Sequence, residues 1–84
     1  MVKLLYFAWV RERIGLAEEW CALPPGIADL NGLIDWLVET GPGHAGAFAD
    51  RSRIRAAIDQ QAVPLDTPVT GAAEIAFFPP MTGG

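Results

Sequence analysis

Residues Asp29–Thr40 read DLNGLIDWLVET, and this stretch decides the fold. Leu30, Leu33, Ile34, Leu37 and Val38 recur at the three- and four-residue spacing that lines one side of an α-helix. Asp29 is a natural N-cap, because its carboxylate can accept a hydrogen bond from an unpaired backbone N–H of the first turn. Gly41 and Pro42 stop the helix. The spacing therefore predicts one amphipathic helix over 29–40. Trp36 lies nearly opposite its apolar side, either under another segment or exposed.

Strands stand on both sides of this helix. VKLLYFA, Val2–Ala8, is β-branched and aromatic with no Gly or Pro. With Lys3 facing out, Leu5 and Phe7 share its face, and Val2, Leu4 and Tyr6 turn inward. WVRERI then predicts about two helical turns, closed by Gly15. EEWCAL, Glu18–Leu23, reads as a second strand ended by Pro24-Pro25. GPGHAGAFAD, 41–50, reads as a loop with a short helical turn. IRAAID, Ile54–Asp59, alternates with Ile54, Ala56 and Ile58 inward. Asp59-Gln60-Gln61-Ala62 is a plausible hairpin turn, and Val63 begins a short return strand that Pro64 ends. DTPVTGAAE is loop, with a bend at Gly71. EIAFF, Glu74–Phe78, is the last strand. This order gives an α+β fold: a mixed sheet of about five strands with one main helix across one face. The expected organisation is one domain over 1–78 and an extended tail over 79–84.

Composition narrows the function. The chain has 84 residues, 51% of them apolar, and a net charge of −4. Without a basic stripe, nucleic-acid binding is disfavoured. Cys21 is the one cysteine, so neither an internal disulfide nor a Cys-based zinc site is expected, and a lone His44 adds no metal site. Mid-strand, Cys21 reads as a core thiol. No apolar run is long enough to span a bilayer. The start MVKLLYFAWVRERIG lacks a small-residue cleavage site, which argues against a signal peptide and for a cytoplasmic protein.

The last strand points to a docking function. Glu74 is a poor core residue, so Ile75 and Phe77 turn inward and Phe78 lies on the face away from the helix. Leu5 and Phe7 reach that face by the independent argument from Lys3. Two phenylalanines and a leucine there predict a docking surface, unless 41–50 covers them. Beyond Phe78 the chain reads Pro79-Pro80-Met81-Thr82-Gly83-Gly84. The prolines cannot extend the sheet and hold the chain extended. Gly83 and Gly84 have no side chains and fit a passage too narrow for other residues. The expected role is delivery of a carboxylate into another protein's active site. The chain itself carries no nucleophile–base pair and no Gly-rich phosphate loop.

KLLYFAWVRERIG near the start and EIAFFPPMTGG at the end resemble the small, sulfur-carrier subunits of molybdopterin synthase, a ubiquitin-like family. The similarity covers the whole chain. It implies a ubiquitin-like β-grasp fold and a sulfur-donor subunit that binds no cofactor of its own. An adenylyltransferase of the ubiquitin-activating type would use ATP to adenylate Gly84, and sulfur would convert it to a thiocarboxylate. The tail would then enter the large synthase subunit, in a heterotetramer of two small and two large subunits. There the sulfur would pass to cyclic pyranopterin monophosphate. Gly84 is thus the sulfur-bearing terminus, Gly83 the narrow neck, and Pro79, Pro80, Met81 and Thr82 the tail's approach. Phe7 and Phe78 would sit in the subunit interface, with the return strand that carries Ala62 and Val63. Arg11 and Glu12 match a recurring pair that reads as structural. The same tail chemistry also serves carriers for thiamine or transfer-RNA thiolation, and ubiquitin-like protein modifiers.

Overall fold

The computed structural model describes residues 1–80. Five strands form one sheet: β1 (Val2–Tyr6), β2 (Glu18–Cys21), β3 (Arg55–Ile58), β4 (Gln61–Val63) and β5 (Glu74–Phe78). Their order is β2-β1-β5-β3-β4, with β1 and β5 parallel at the centre and every other pair antiparallel. Three α-helices join them: α1 (Ala8–Ile14), α2 (Leu30–Val38) and α3 (Pro42–Ala47). A 3₁₀ turn at Arg51–Arg53 leads into β3. The α+β fold read from the sequence is the fold observed.

Helix α2 lies across one sheet face and buries Leu30, Leu33, Ile34 and Leu37. They meet Val2, Leu4, Tyr6, Ala56, Ile75 and Phe77 from the sheet in one core. Trp36 packs half-buried at the margin of this core. The helix start is fully satisfied. Asp29 Oδ1 accepts from the Gly32 N–H at 2.8 Å. The loop before β5 takes the next two donors, Leu30 N–H to Thr67 O and Asn31 N–H to Leu65 O. With Leu33 N–H on Asp29 O, no first-turn N–H of α2 is orphaned.

Several local expectations shift. Strand β1 ends at Tyr6 rather than Ala8. Phe7 N–H still donates to Phe77 O, but Ala8 turns to a φ of 53° and starts α1. Gly15 closes that helix in the left-handed region, as its lack of a Cβ allows. Strand β2 ends at Cys21, ahead of the two prolines. The hairpin turn is tighter than the sequence predicted: Asp59 and Gln60 take positive φ, and Gln61 and Ala62 already belong to β4. Asp59 is held there because its Oδ1 accepts from the N–H groups of Ala73 and Glu74 at the start of β5.

The segment 41–50 forms α3 on the helix side of the sheet. Phe48 is buried and meets the core ring of Phe77 edge-on at 5.1 Å between centroids. It therefore does not cover the opposite face. Helix α3 also approaches α1 so closely that a Cβ on Gly43 would lie 2.8 Å from the Arg13 carbonyl oxygen. Gly43→Ala is accordingly expected to lower stability by about 1–3 kcal/mol, because backbone rather than a flexible side chain blocks the methyl. Urea unfolding of the variant against wild type measures it, and an unchanged midpoint would contradict this packing.

Candidate docking face and tail root

Register fixes what the uncovered sheet face presents. With Val2, Leu4 and Tyr6 buried, Lys3 and Leu5 point to the other side. Across the strands, Trp20, Lys3 and Glu74 form one row. Glu18, Leu5, Ala76, Ala57 and Ala62 form the next. Arg55 and Phe78 pair in a third. The middle of the face is thus floored by three alanines, with Phe78 at one end. Phe7, just beyond β1, keeps 46% of its surface exposed beside it.

Around the tail's exit the face is indented. A groove of about 580 Å³ is lined by Arg55, Ala62, Val63, Pro64, Phe78 and Pro80. It opens beside Ala62, whose single methyl leaves the space. Val63 contributes from the rim, since it pairs with the buried Ala56 and packs half against the core. Phe78, Pro79 and Pro80 are all half-exposed where the chain leaves the sheet. Phe7, Phe78, Pro80 and Val63 are therefore brought to one end of the molecule. Met81, Thr82, Gly83 and Gly84 lie outside the described residues.

The opposite face carries the contacts to Glu19. Tyr6 Oη donates to Glu19 Oε2 at 2.7 Å, and His44 Nε2 lies 2.7 Å from the same oxygen. These contacts tie α3 to the sheet across β2. Burial, then the Glu19 contact, pushes the Tyr6 hydroxyl well above its ordinary value of 10.0. Burial, then the Glu19 charge, raises the Cys21 thiol above 9.0, with the N-terminal amine opposing. Cys21 packs in the core, as its mid-strand position implied. Among the described residues no group of three His, Cys, Asp or Glu is placed to hold a metal, and no helix is long and apolar enough to cross a membrane.

Alternation found Leu5, Phe7 and Phe78 from the sequence. It missed Trp20, which keeps 59% of its surface exposed on this face. Alternation sets Trp20 opposite Cys21 within β2, but only the pairing with Lys3 shows which face that is. Arg55 was missed for the same reason: its place beside Phe78 is a fact of register, not of local sequence.

A mixed five-stranded sheet with the order 2-1-5-3-4 and one helix packed across a face is the β-grasp of ubiquitin-like proteins. Residues 4–84 match the model of the ThiS family, and the chain belongs to that family. It is 38% identical over 92 aligned residues to the molybdopterin synthase sulfur carrier subunit of Escherichia coli (strain K12), with all of both chains covered. Among solved structures it matches the putative molybdopterin converting factor, subunit 1, of Pyrococcus furiosus with a TM-score of 0.73 and 27% identity, covering 95% of this chain and 97% of that one. It also matches small archaeal modifier protein 1 of Haloferax volcanii with a TM-score of 0.73 at 24% identity, covering 95% and 97%. That second likeness is one of fold.

The raised hydroxyl and thiol predict a loss of stability at alkaline pH. Below their ordinary values both folded and unfolded chains hold the two protons. As pH rises past 9.0 and then 10.0, the unfolded chain releases them first, so stability falls. The expected outcome is a urea midpoint that drops between about pH 8 and about pH 11, with a shallower drop in a Tyr6→Phe, Cys21→Ala double variant. An equal slope in both proteins would remove these groups as the cause.

Proposed function

We propose that this protein is the sulfur-carrier subunit of a molybdopterin synthase. The observation that carries the reading is its full-length similarity to a carrier subunit of that enzyme. The exposed Phe7 and the half-buried Phe78 beside the prolines at the tail root support it, because apolar side chains stand open to a partner where the chain leaves the sheet. The protein acts as a donor rather than a catalyst, and the catalytic side chains belong to the large subunit.

The chemistry follows from the inertness of a carboxylate. The Gly84 carboxylate attacks the α-phosphate of ATP on an adenylyltransferase of the ubiquitin-activating type, and pyrophosphate leaves. A sulfur nucleophile at the oxidation level of sulfide then attacks the acyl carbon and expels AMP, leaving a thiocarboxylate. Carrier and large subunit assemble as a heterotetramer of two and two. The tail, narrow at Gly83, presents the sulfur to cyclic pyranopterin monophosphate. Each dithiolene requires two sulfur atoms, hence two deliveries. No cofactor resides on the carrier, and ATP is consumed by its activating enzyme in the cytoplasm.

Phe78 and Phe7 dock against the large subunit, with Val63, Pro79 and Pro80 at the edge and Met81 and Thr82 leading into the active site. Burial of one such phenylalanine contributes roughly 1.5–3 kcal/mol, so Phe78→Asp is expected to weaken the complex by a factor of ten or more. Isothermal titration against the large subunit reads this, and wild-type affinity would place the interface elsewhere.

The deciding experiment is an intact mass of the protein isolated from its own cells. The expected species has one oxygen replaced by sulfur at Gly84, and deletion of Gly84 abolishes pterin conversion while the fold persists. Normal conversion by the truncated chain would refute the reading. A thiocarboxylate whose loss stops thiazole or transfer-RNA thiolation, with molybdopterin still made, would move the carrier to that pathway. Isopeptide conjugates through Gly84 would make it a modifier.

A further inference from the structure

The chain is acidic overall, yet its cations are gathered at one end. Five of its six Lys and Arg residues are Arg11, Arg13, Arg51, Arg53 and Arg55. Topology brings these together. Strand β5 lies between β1 and β3, parallel to the first and antiparallel to the second. The end of β5 therefore has α1 on one side, where β1 leads, and the 3₁₀ turn on the other, from which β3 starts. Trp9 of α1 joins the two sides. The Arg13 guanidinium lies 5.4 Å from its ring centroid and the Arg53 guanidinium 5.1 Å. Arg55 sits opposite Phe78 and donates to the Ser52 and Ile54 carbonyls, which keeps its head near the same turn.

Four of these five charges are not spent on ion pairs among the described residues. Lys3, His44 and Arg51 have carboxylate partners, on Glu18, Glu19 and Asp35. Among the described residues Arg13, Arg53 and Arg55 have none within ion-pairing distance. Asp50 is the acid that feels Arg53, but its carboxylate is engaged by the N–H and hydroxyl of Ser52, which chiefly hold it below the usual range. Stacking on one indole fixes two like charges side by side and spares them part of the ordering cost of binding. A guanidinium so placed suits a carboxylate.

We propose that Arg13, Arg53 and Arg55 form a cationic collar at the root of the tail that receives a carboxylate-rich rim on the adenylating enzyme. The inference rests on the carrier reading above. Reach argues for a protein rim rather than nucleotide phosphate. Four residues beyond Pro80 extend at most about 13–14 Å, so an enzyme holding the tip at its ATP keeps those phosphates far from the root. Duty argues for the adenylating enzyme rather than the large subunit. The carrier must reach that enzyme quickly and then leave it, and complementary charge at a rim raises encounter rates more than it lengthens residence. The apolar end at Phe7 and Phe78 suits the longer-lived synthase complex.

The test is pyrophosphate release by the purified adenylating enzyme, with carrier concentration and ionic strength varied. For an Arg13→Glu, Arg53→Glu variant, kcat/KM for the carrier is expected to fall about tenfold or more at low salt, with kcat unchanged. The gap should narrow as salt screens the rim, and titration with the large subunit should match wild type. Arg55→Glu, which leaves the Trp9 stack intact, should lower kcat/KM in the same salt-dependent way, so a folding defect in the double variant does not decide the matter. Wild-type kcat/KM in both variants overturns the collar. So does a loss that persists undiminished at high salt, a loss confined to large-subunit binding, or ATP binding by the isolated carrier that the variants abolish. If wild-type carrier is not adenylated at all, the carrier reading itself fails.

Discussion

The register of β5 between β1 and β3 is the constraint on which the rest of the molecule depends. Strand β5 lies between two strands, and both of its ends carry contacts that fix its register. Ile75 and Phe77 are fully buried against α2 and α3, and Phe77 sits in a run of rings with Tyr6 and Phe48. A slip of one residue would put Glu74, Ala76 and Phe78 into that core and Phe77 into solvent. The same slip would dissolve the Asp59 clamp, whose carboxylate receives the N–H groups of Ala73 and Glu74. Core packing and turn chemistry thus specify one register from opposite ends of the strand. That register turns Phe78 outward and sets the direction in which Pro79 leaves the sheet.

The rest of the chain holds this strand in place by satisfying backbone groups far from it in sequence. A short sheet with a nine-residue helix cannot be stable as separate pieces, since isolated helices of this length are marginal in water. Here the loop before β5 supplies Leu65 and Thr67 carbonyls to the first turn of α2, so the helix start and the strand start are joined by hydrogen bonds. On the far side, Glu19 draws Tyr6 and His44 to one oxygen and so binds β1, β2 and α3. Both sets of contacts lie on the helix side of the sheet. The other side carries alanines, Leu5 and aromatics among the charged Lys3, Glu18, Glu74 and Arg55, so these polar contacts lie on one face and the other stays open.

Much of this was legible in the sequence where period and chemistry coincide. The spacing of Leu30 through Val38 gave α2 its face, Asp29 its cap, and the alternation in EIAFF gave Phe78 its side. What was not legible depends on pairing across the chain. Nothing local tells that Trp20 shares a row with Lys3, or that Arg55 faces Phe78. The tight turn at Asp59-Gln60 was also hidden, because two positive φ values there are usually announced by Asn-Gly or Asp-Gly. Gln60 fills the glycine's place, and the turn is held from outside by the start of β5. Helix α3 gives a weak local signal because two glycines in six residues lower its helix propensity. It forms because Gly43 permits close contact with α1 and Phe48 anchors its end in the core.

A carrier without catalytic side chains must encode its specificity in what surrounds its reactive end. On the proposed reading, the tail offers every enzyme the same two glycines, so the tail alone cannot choose among them. The choice falls to the surface within reach of its root. That surface has two kinds of chemistry side by side: apolar Phe7 and Phe78, and the arginines gathered by Trp9. Apolar contact and charge contact respond differently to time and salt. Burying phenylalanine rewards a closely fitted, lasting interface, while exposed guanidiniums act at longer range and yield when screened. On that reading one root would serve a brief visit to be charged with sulfur and a longer stay to deliver it, each partner engaging a different part of the same rim.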